Sequence, residues 1–284
     1  MKKLLTLILT LALGLTACLG LTACGEKESN KPTLISNVSL IQEQYGIAAK
    51  KGNDALVSKI NEALINIADD EMKTIAKTYG LTSEIAVTSA TENPLKDATD
   101  ASWTNLVSRK KVVIGYTVFA PIAYEVKDDV PTKGYDVELA KAVFDYLNET
   151  YSAEIVIEFL KIDWNSKETL LAGDSIDLVW NGLTITDGRL AEMCISIPYL
   201  NNKQVAVTMS KNAEKFNSID SMKDAVMGAE DGSAGEEQIS TKITCKEYIK
   251  CESQLDAYNK LKAGTLDVIV IDSVMANYYI SLEK

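Results

Sequence analysis

The chain of 284 residues is 46% hydrophobic and 24% charged, the balance of a folded globular protein and not of a disordered one. Its 29 basic and 40 acidic residues give a net charge of −11, which argues against a nucleic-acid partner and against a basic membrane-binding face. There is no histidine, so His-dependent triads, His general bases and most zinc sites are excluded, and neither a cofactor nor a metal is expected.

The only long apolar run is the N-terminal "MKKLLTLILTLALGLTACLGLTAC". Two lysines, a Leu-rich core and small residues before cysteine describe an export signal, not a spanning helix. The tetrapeptide Leu-Thr-Ala-Cys ends at Cys18 and again at Cys24, and it has the form of a lipoprotein cleavage site. Cys24 is favoured for lipidation because polar "GEKESNKPT" follows it, whereas apolar "LGLT" follows Cys18. This assigns 1–23 to a signal peptide and 24–32 to a lipid-anchored tether on the outer face of the cytoplasmic membrane. Acyl chains hold such an anchor at ~0.8 kcal/mol per buried methylene. An ordinary signal with chance cysteines is the alternative.

"EQYGIAAKKGND" (43–54) reads as an alternating strand, a Lys-Lys-Gly turn and a capping Asp54. Leu56, Ile60, Leu64 and Ile67 then form one helical stripe. A second helix follows Asp69 and Asp70, with Met72, Ile75, Ala76 and Tyr79 inward, and Gly80 ends it. Residues 82–102 have no sustained period and read as a linker. A short helix over 103–110, the strand "VVIGYTV" and a helix capped by Asp136 come next, then the strand "AEIVIEF", the helix "SKETLLAG" and the strand "IDLVWNG". "QVAVTMS" opens a second unit that runs to the C-terminus. The alternation of strand and helix predicts an α/β fold of mostly parallel sheets with crossover helices. Cys194 sits in an apolar stretch as a small hydrophobe. In an exported protein, Cys245 and Cys251 can form a disulfide, with free thiols the alternative.

Open parallel sheets bind ligands beyond the carboxyl ends of their strands, and five loops there carry chemistry. They offer Phe119 and Tyr124; Trp164; Asn181, Gly182, Thr184 and Arg189; the Gly232–Gly235 turn with Ser233 and Ala234; and Asp272. Arg189 can grip a carboxylate bidentately, with Thr184 and the Gly182 backbone as further donors. The glycine-flanked turn at a helix start suits an anion, Asp272 suits an ammonium, and the aromatic residues can wall an apolar part. A carboxylate, an ammonium and a side chain between aromatic faces make an α-amino acid. Each feature has a plainer reading: Arg189 can pair with Glu192, Asp272 can cap a helix, and Phe119 and Trp164 can be core.

In order, "IGYTVFAPIAY", "KGYDVELAKAV", "IDWNSKETLLAGDSIDLVWNGLTITDGR", "IPYLNNKQVAV", "DGSAGEE" and "LKAGTLDVIVIDSVMANYYI" resemble the solute-binding proteins of amino-acid ABC importers, over about 108 to 284. The resemblance implies the two-lobed type II periplasmic-binding-protein fold and a monomer that delivers a free, polar amino acid to a membrane permease. It places the ligand carboxylate on Arg189, Thr184 and the amides of Ser233 and Ala234, and the ammonium on Asp272 and Gly182. Phe119, Tyr124, Trp164 and Asn181 would line the side-chain pocket. Ala234 departs from the hydroxyl residue of many relatives, and Cys194 and Ile197 stand where relatives often have Phe and Asp. A dehydratase-like enzyme of the same fold, acting on a small carboxylate, is the alternative function; the sequence offers it no paired acid and base. A ligand sensor without transport is another.

Residues 34–81 resemble the ending that normally follows "DSVMANYYI" in this family. Joining Lys284 to Pro32 restores the usual order, so the chain reads as circularly permuted, with the old ends tied by 82–102. About twenty flexible residues span roughly 25 Å, enough to bridge neighbouring ends. One lobe is then expected over 43–205, linker included, and the other over 33–42 with 206–284. Crossing segments near 42–45 and 203–207 form the hinge. A recombined gene whose pieces do not combine, and a swapped dimer, are the alternatives.

Overall fold

A computed structural model describes residues 30–283. The signal peptide, Cys18, Cys24 and residues 24–29 of the tether lie outside the described residues.

The chain opens with β1 (Pro32–Leu34), β2 (Gln42–Lys50), α1 (Asp54–Ile67) and α2 (Glu71–Tyr79). After the irregular stretch come α3 (Ser102–Arg109), β3 (Lys111–Tyr116), β4 (Tyr124–Lys127), β5 (Val130–Lys133), α4 (Tyr135–Tyr151), β6 (Val156–Lys161), α5 (Lys167–Ala172), β7 (Leu178–Thr184), α6 (Asp187–Glu192) and β8 (Met193–Ile195). The remainder is β9 (Leu200–Met209), β10 (Val226–Glu230), α7 (Ala234–Lys242), β11 (Glu247–Cys251), α8 (Gln254–Ala263), β12 (Val268–Asp272) and α9 (Ser273–Leu282).

The fold is two-lobed, and two antiparallel strands join the lobes. The strand path runs β11-β10-β12-β9-β2-β7-β3-β6. In one lobe β6, β3 and β7 are parallel, with β2 antiparallel on β7; in the other β11, β10 and β12 are parallel, with β9 antiparallel on β12. Gln42–Tyr45 of β2 pair with Leu200–Lys203 of β9; beyond that, β2 continues onto β7 and β8 while β9 continues onto β12 and β1. The carboxyl ends of β3, β7, β10 and β12 therefore meet around the crossing.

The α1 stripe packs as its spacing predicts: Leu56, Ile60, Leu64 and Ile67 are all buried, in one core with Val112, Ile114 and Phe144. Gly80 closes α2 in the left-handed region, at φ 69°. The start of α1 differs from expectation. Asp54 is its first helical residue, and the orphan amides are served from a distance: Ala55 N donates to Asp100 Oδ2 (2.6 Å) and Leu56 N to Ser102 Oγ (2.9 Å). Both acceptors lie at the end of the linker. The linker is irregular, as expected, but not free. Ala86 N donates to Tyr199 O (3.1 Å), Asn93 Nδ2 to Ser58 O (2.9 Å), and Val87 is buried.

Asp136 does not cap α4. It sits inside the first turn, 2% exposed, and accepts from Gly182 N (2.9 Å) and Tyr199 Oη (2.8 Å). Burial raises it to about 7. The disulfide is also absent: Cys245 and Cys251 are free thiols. Strand β11 separates them at ~3.3 Å per residue, far beyond the ~7 Å that a disulfide tolerates between Cα atoms. They also pack in different cores, Cys245 with Met227 and Val270, Cys251 with Leu266 and Ile269. Unfolding without reductant is expected to expose Cys194, Cys245 and Cys251 to full alkylation; a reductant-dependent pair in the mass spectrum would contradict the structure.

Candidate functional site

Arg189 leaves the first turns after β7 and folds back under its own strand. Its Nη1 donates to Thr184 O (2.8 Å) and its Nη2 to Gly232 O of the other lobe (3.2 Å). The expected pair with Glu192 is not made. Lys167, 2% exposed, donates to Trp164 O (3.1 Å) and reaches the same Gly232 carbonyl (3.2 Å). Two cations of one lobe thus hold one backbone oxygen of the other, and the cleft is closed around them. The remaining guanidinium donors of Arg189 are free to take a carboxylate.

Facing these cations are buried carboxyls. Asp272, at the tip of β12, accepts at Oδ1 from Tyr45 Oη (2.7 Å), Gln204 Nε2 (2.9 Å) and Asn202, and at Oδ2 from Gln254. It stands at the N-cap position of α9 without a side-chain cap bond, so the plain capping reading fails. Glu43, on the crossing strand β2, shares Asn202 and Gln204 with it: Gln204 Nε2 donates to Glu43 Oε1 at 2.8 Å. Burial first, then the Asp272 charge, hold the Glu43 carboxyl well above the usual range. The sequence offered no paired carboxyls, and the structure brings these two together.

Glu230 ends β10 at 4% exposure, and its Oε1 has no hydrogen-bond partner. Burial and then Asp272 raise it to about 8. Glu43 Oε2, Asn181 Oδ1, Gln204 Oε1 and Gln238 Oε1 are likewise buried without partners. Unpaired buried polar atoms are rare in folded proteins, and Glu43, Asn181, Gln204 and Glu230 belong to the strands that meet at the crossing.

The other residues expected at the site divide. Thr184 and Asn181 lie on β7 within it, Asn181 donating to Thr117 Oγ1 (3.1 Å). The Gly182 amide is taken by Asp136, so it is not a ligand donor; its missing Cβ lets Phe119 and Tyr45 pack close, and its φ of 64° lies in the left-handed region that favours glycine. At the start of α7, the Ser233 amide donates to Glu230 O (3.2 Å) and the Gly232 amide to Glu236 (2.7 Å). Among the described residues the Ala234 amide makes no hydrogen bond. Trp164 is buried against Ile162 and Leu171, with the Lys167 ammonium 5.0 Å from its ring centre. Phe119 is core-packed beside Gly182. Tyr124 packs against Tyr278 (5.7 Å) and Tyr79 (6.5 Å) at the side of α9. Sequence reading missed Glu43, Tyr45, Lys167 and Glu230. Only Glu43 had a visible signal, as a charge in register with Tyr45 and Ile47 on the inward face of an alternating strand.

A solved structure of an ABC uptake transporter substrate-binding protein from Streptococcus pneumoniae with bound histidine is 31% identical, covers 64% of this chain and 73% of that one, and superposes with a TM-score of 0.57. The model of the bacterial extracellular solute-binding proteins, family 3, matches residues 112–231. The chain belongs to that family. The arginine-binding extracellular protein ArtP of Bacillus subtilis (strain 168) is 30% identical over 176 residues, 60% of this chain and 64% of ArtP. A probable histidine-binding protein of Neisseria gonorrhoeae is 31% identical over 164 residues, 56% of this chain and 58% of its own length. The chain thus spans about three-fifths of the curated relatives it matches. This family is extracellular, and among the described residues no helix is long and apolar enough to cross a membrane.

Proposed function

We propose that this protein captures a free amino acid in the interlobe cleft and delivers it to the permease of an ABC importer, anchored to the membrane by lipid on Cys24. The observation that carries the reading is the opposition of Arg189, which keeps unused donors, to the buried carboxyls of Glu43 and Asp272. A guanidinium fork matches the ligand carboxylate, and the carboxyls match its ammonium. Asp272 already accepts four donors, so Glu43 Oε2 is the better-placed free acceptor. The three relatives described above are binders of arginine or histidine, which agrees. Closure, with Gly232 O held by Arg189 and Lys167, is the difference that a permease can read.

We also infer that the chain is circularly permuted within one molecule, with lobes over 43–205 and over 33–42 plus 206–284. The packing of α9 against β1 supports this, since it sets the C-terminal helix beside the first strand. The partial coverage of the relatives supports it too, because a sequential match cannot hold 32–81 and the rest of the chain together.

A thermal-shift screen of the purified protein against the amino acids tests the function. At a thousandfold excess over Kd a true ligand stabilises by about 4 kcal/mol, several degrees for a protein of this size. A clean melt that no amino acid moves would overturn the reading. The Glu43–Asp272 pair keeps one rival in play, since a protonated acid beside a carboxylate can serve a dehydratase. Turnover of a small hydroxy-carboxylate such as prephenate would favour it.

A further inference from the structure

We propose that Asp136, a buried side chain of α4, positions both ends of the amino-acid site: it fixes the bulge of β7 from which Arg189 is aimed, and it steadies the tyrosine pair that holds Asp272. This rests on the amino-acid reading of the cleft. Asp136 is 2% exposed, and its Oδ2 does all of its side-chain bonding. That one oxygen accepts from Gly182 N (2.9 Å) and Tyr199 Oη (2.8 Å), while Oδ1 is buried without a partner.

The first contact repairs a break in the sheet. Strand β7 pairs with β2 through Thr184–Tyr45 and Leu183–Gly46, and again through Val179–Ala48 and Leu178–Ala49. Between these, Trp180, Asn181 and Gly182 stand opposite Ile47 alone, a bulge in the pairing. Ile47 is itself committed to Ser196: its N–H goes to Ser196 Oγ and its carbonyl accepts from Ser196 N, both at 2.9 Å. The Gly182 amide is therefore left without a partner on β2, and a buried amide cannot stay unpaired cheaply. Asp136 supplies the acceptor. Two residues on, Thr184 O takes Arg189 Nη1 (2.8 Å), so fixing Gly182 sets where the guanidinium points.

The second contact reaches the other end of the site. Tyr199 N donates to Tyr45 O (3.0 Å), the two rings lie 6.3 Å apart, and Tyr45 Oη donates to Asp272 Oδ1 (2.7 Å). The Tyr45 ring also packs over Gly182, where a Cβ would come within 3.1 Å of it. Tyr45 and Tyr199 are both fully buried, so neither can take up another position without disturbing the core. One side chain thus ties the side of the cleft that grips a carboxylate to the side that takes an ammonium. A site whose parts are already in place loses less on binding and holds its ligand more tightly.

Calorimetry of the full chain well below its Tm, with the standard amino acids as probes, decides this. Asp136→Ala is expected to weaken every amino acid that binds by the same factor, about 10- to 100-fold, because the α-carboxylate and ammonium are common to all of them. Asp136→Asn keeps a carbonyl oxygen where Oδ2 stands, and should hold affinity within about threefold of the unmodified protein. A residue that served stability alone would lower Tm in the alanine variant and leave its Kd in place. Unchanged affinity in Asp136→Ala, a loss confined to some side chains, or an asparagine variant as weak as the alanine one would overturn the proposal and leave the amino-acid reading standing. Should the alanine variant not fold, amide exchange in the unmodified protein decides: Gly182 is expected to be protected before any ligand is added, and protection that appears only on binding would overturn the proposal. If no amino acid binds the unmodified protein, the amino-acid reading falls, and this proposal with it.

Discussion

Replacing Arg189 by alanine is expected to weaken amino-acid binding by about 3–5 kcal/mol, two to four decades in Kd, when titrated by calorimetry. Two losses combine. The guanidinium is the only cation in the cleft, among the described residues, with donors to spare, so the ligand carboxylate would enter a buried site unpaired. The same group ties Gly232 O to the other lobe, so the closed state loses one of its two cationic clasps. Arg189→Lys separates the two. An ammonium keeps the charge but cannot make the fork, and is expected to recover part of the affinity without restoring it. Unchanged affinity in Arg189→Ala would place the ligand elsewhere. A loss confined to one class of side chain would mean that Arg189 reads the side chain and not the carboxylate.

What could be read from the sequence was what local chemistry dictates. The stripe of Leu56, Ile60, Leu64 and Ile67, the glycine stop at Gly80, the Ser233 start of α7 and the apolar run of β12 before Asp272 are each set by neighbouring residues. Arg189 and Asp272 were legible because Asp272 ends a strand and Arg189 follows one closely, on the edge where open sheets place their ligands. What could not be read depends on contacts distant in the chain. Asp136 looked like a cap because Asp often is one, but Gly182 and Tyr199 take its carboxylate into the core. The cysteines looked pairable at a distance in sequence that an extended strand makes long in space. Glu43 became a site residue only when β2 crossed between lobes and met β9 and β12. The same crossing decides how the ligand is held: donors from β9, Asn202 and Gln204, bridge the carboxyl of the hinge strand to that of the second lobe. Ligand charge and lobe closure therefore act on one cluster.

That cluster makes the ligand-free protein less stable as pH rises from about 5 to 8. Glu230, raised to about 8 by burial and by Asp272, faces Asp163 as well, against Lys167 and Arg189. Glu43 is held well above its usual value by burial and Asp272, with Tyr45 beside them. Asp136, raised to about 7, faces Tyr135 and Tyr199. Each carboxyl keeps its proton in the folded state at a pH where the unfolded chain has released it. The folded state then binds more protons, so stability is highest near the unfolded pKa values and falls as pH rises through the folded ones. The exposed carboxyls whose values are lowered, such as Glu154 and Asp231, act in the other direction but have finished titrating by about pH 5. Each carboxyl that keeps its proton gives up about 1.4 kcal/mol per pH unit, so together they should make the loss between pH 5 and 8 visible as several degrees or more in Tm across a buffer series. Glu43→Gln should flatten part of the slope by removing one titrating group. A bound amino acid at saturation should flatten it further, because its ammonium stabilises the ionised carboxylates and turns the protons they hold into protons released on binding. A Tm that is level or rises from pH 5 to 8 in the ligand-free protein would mean that these carboxyls are solvated, and that the closed, dry cleft is not its resting state.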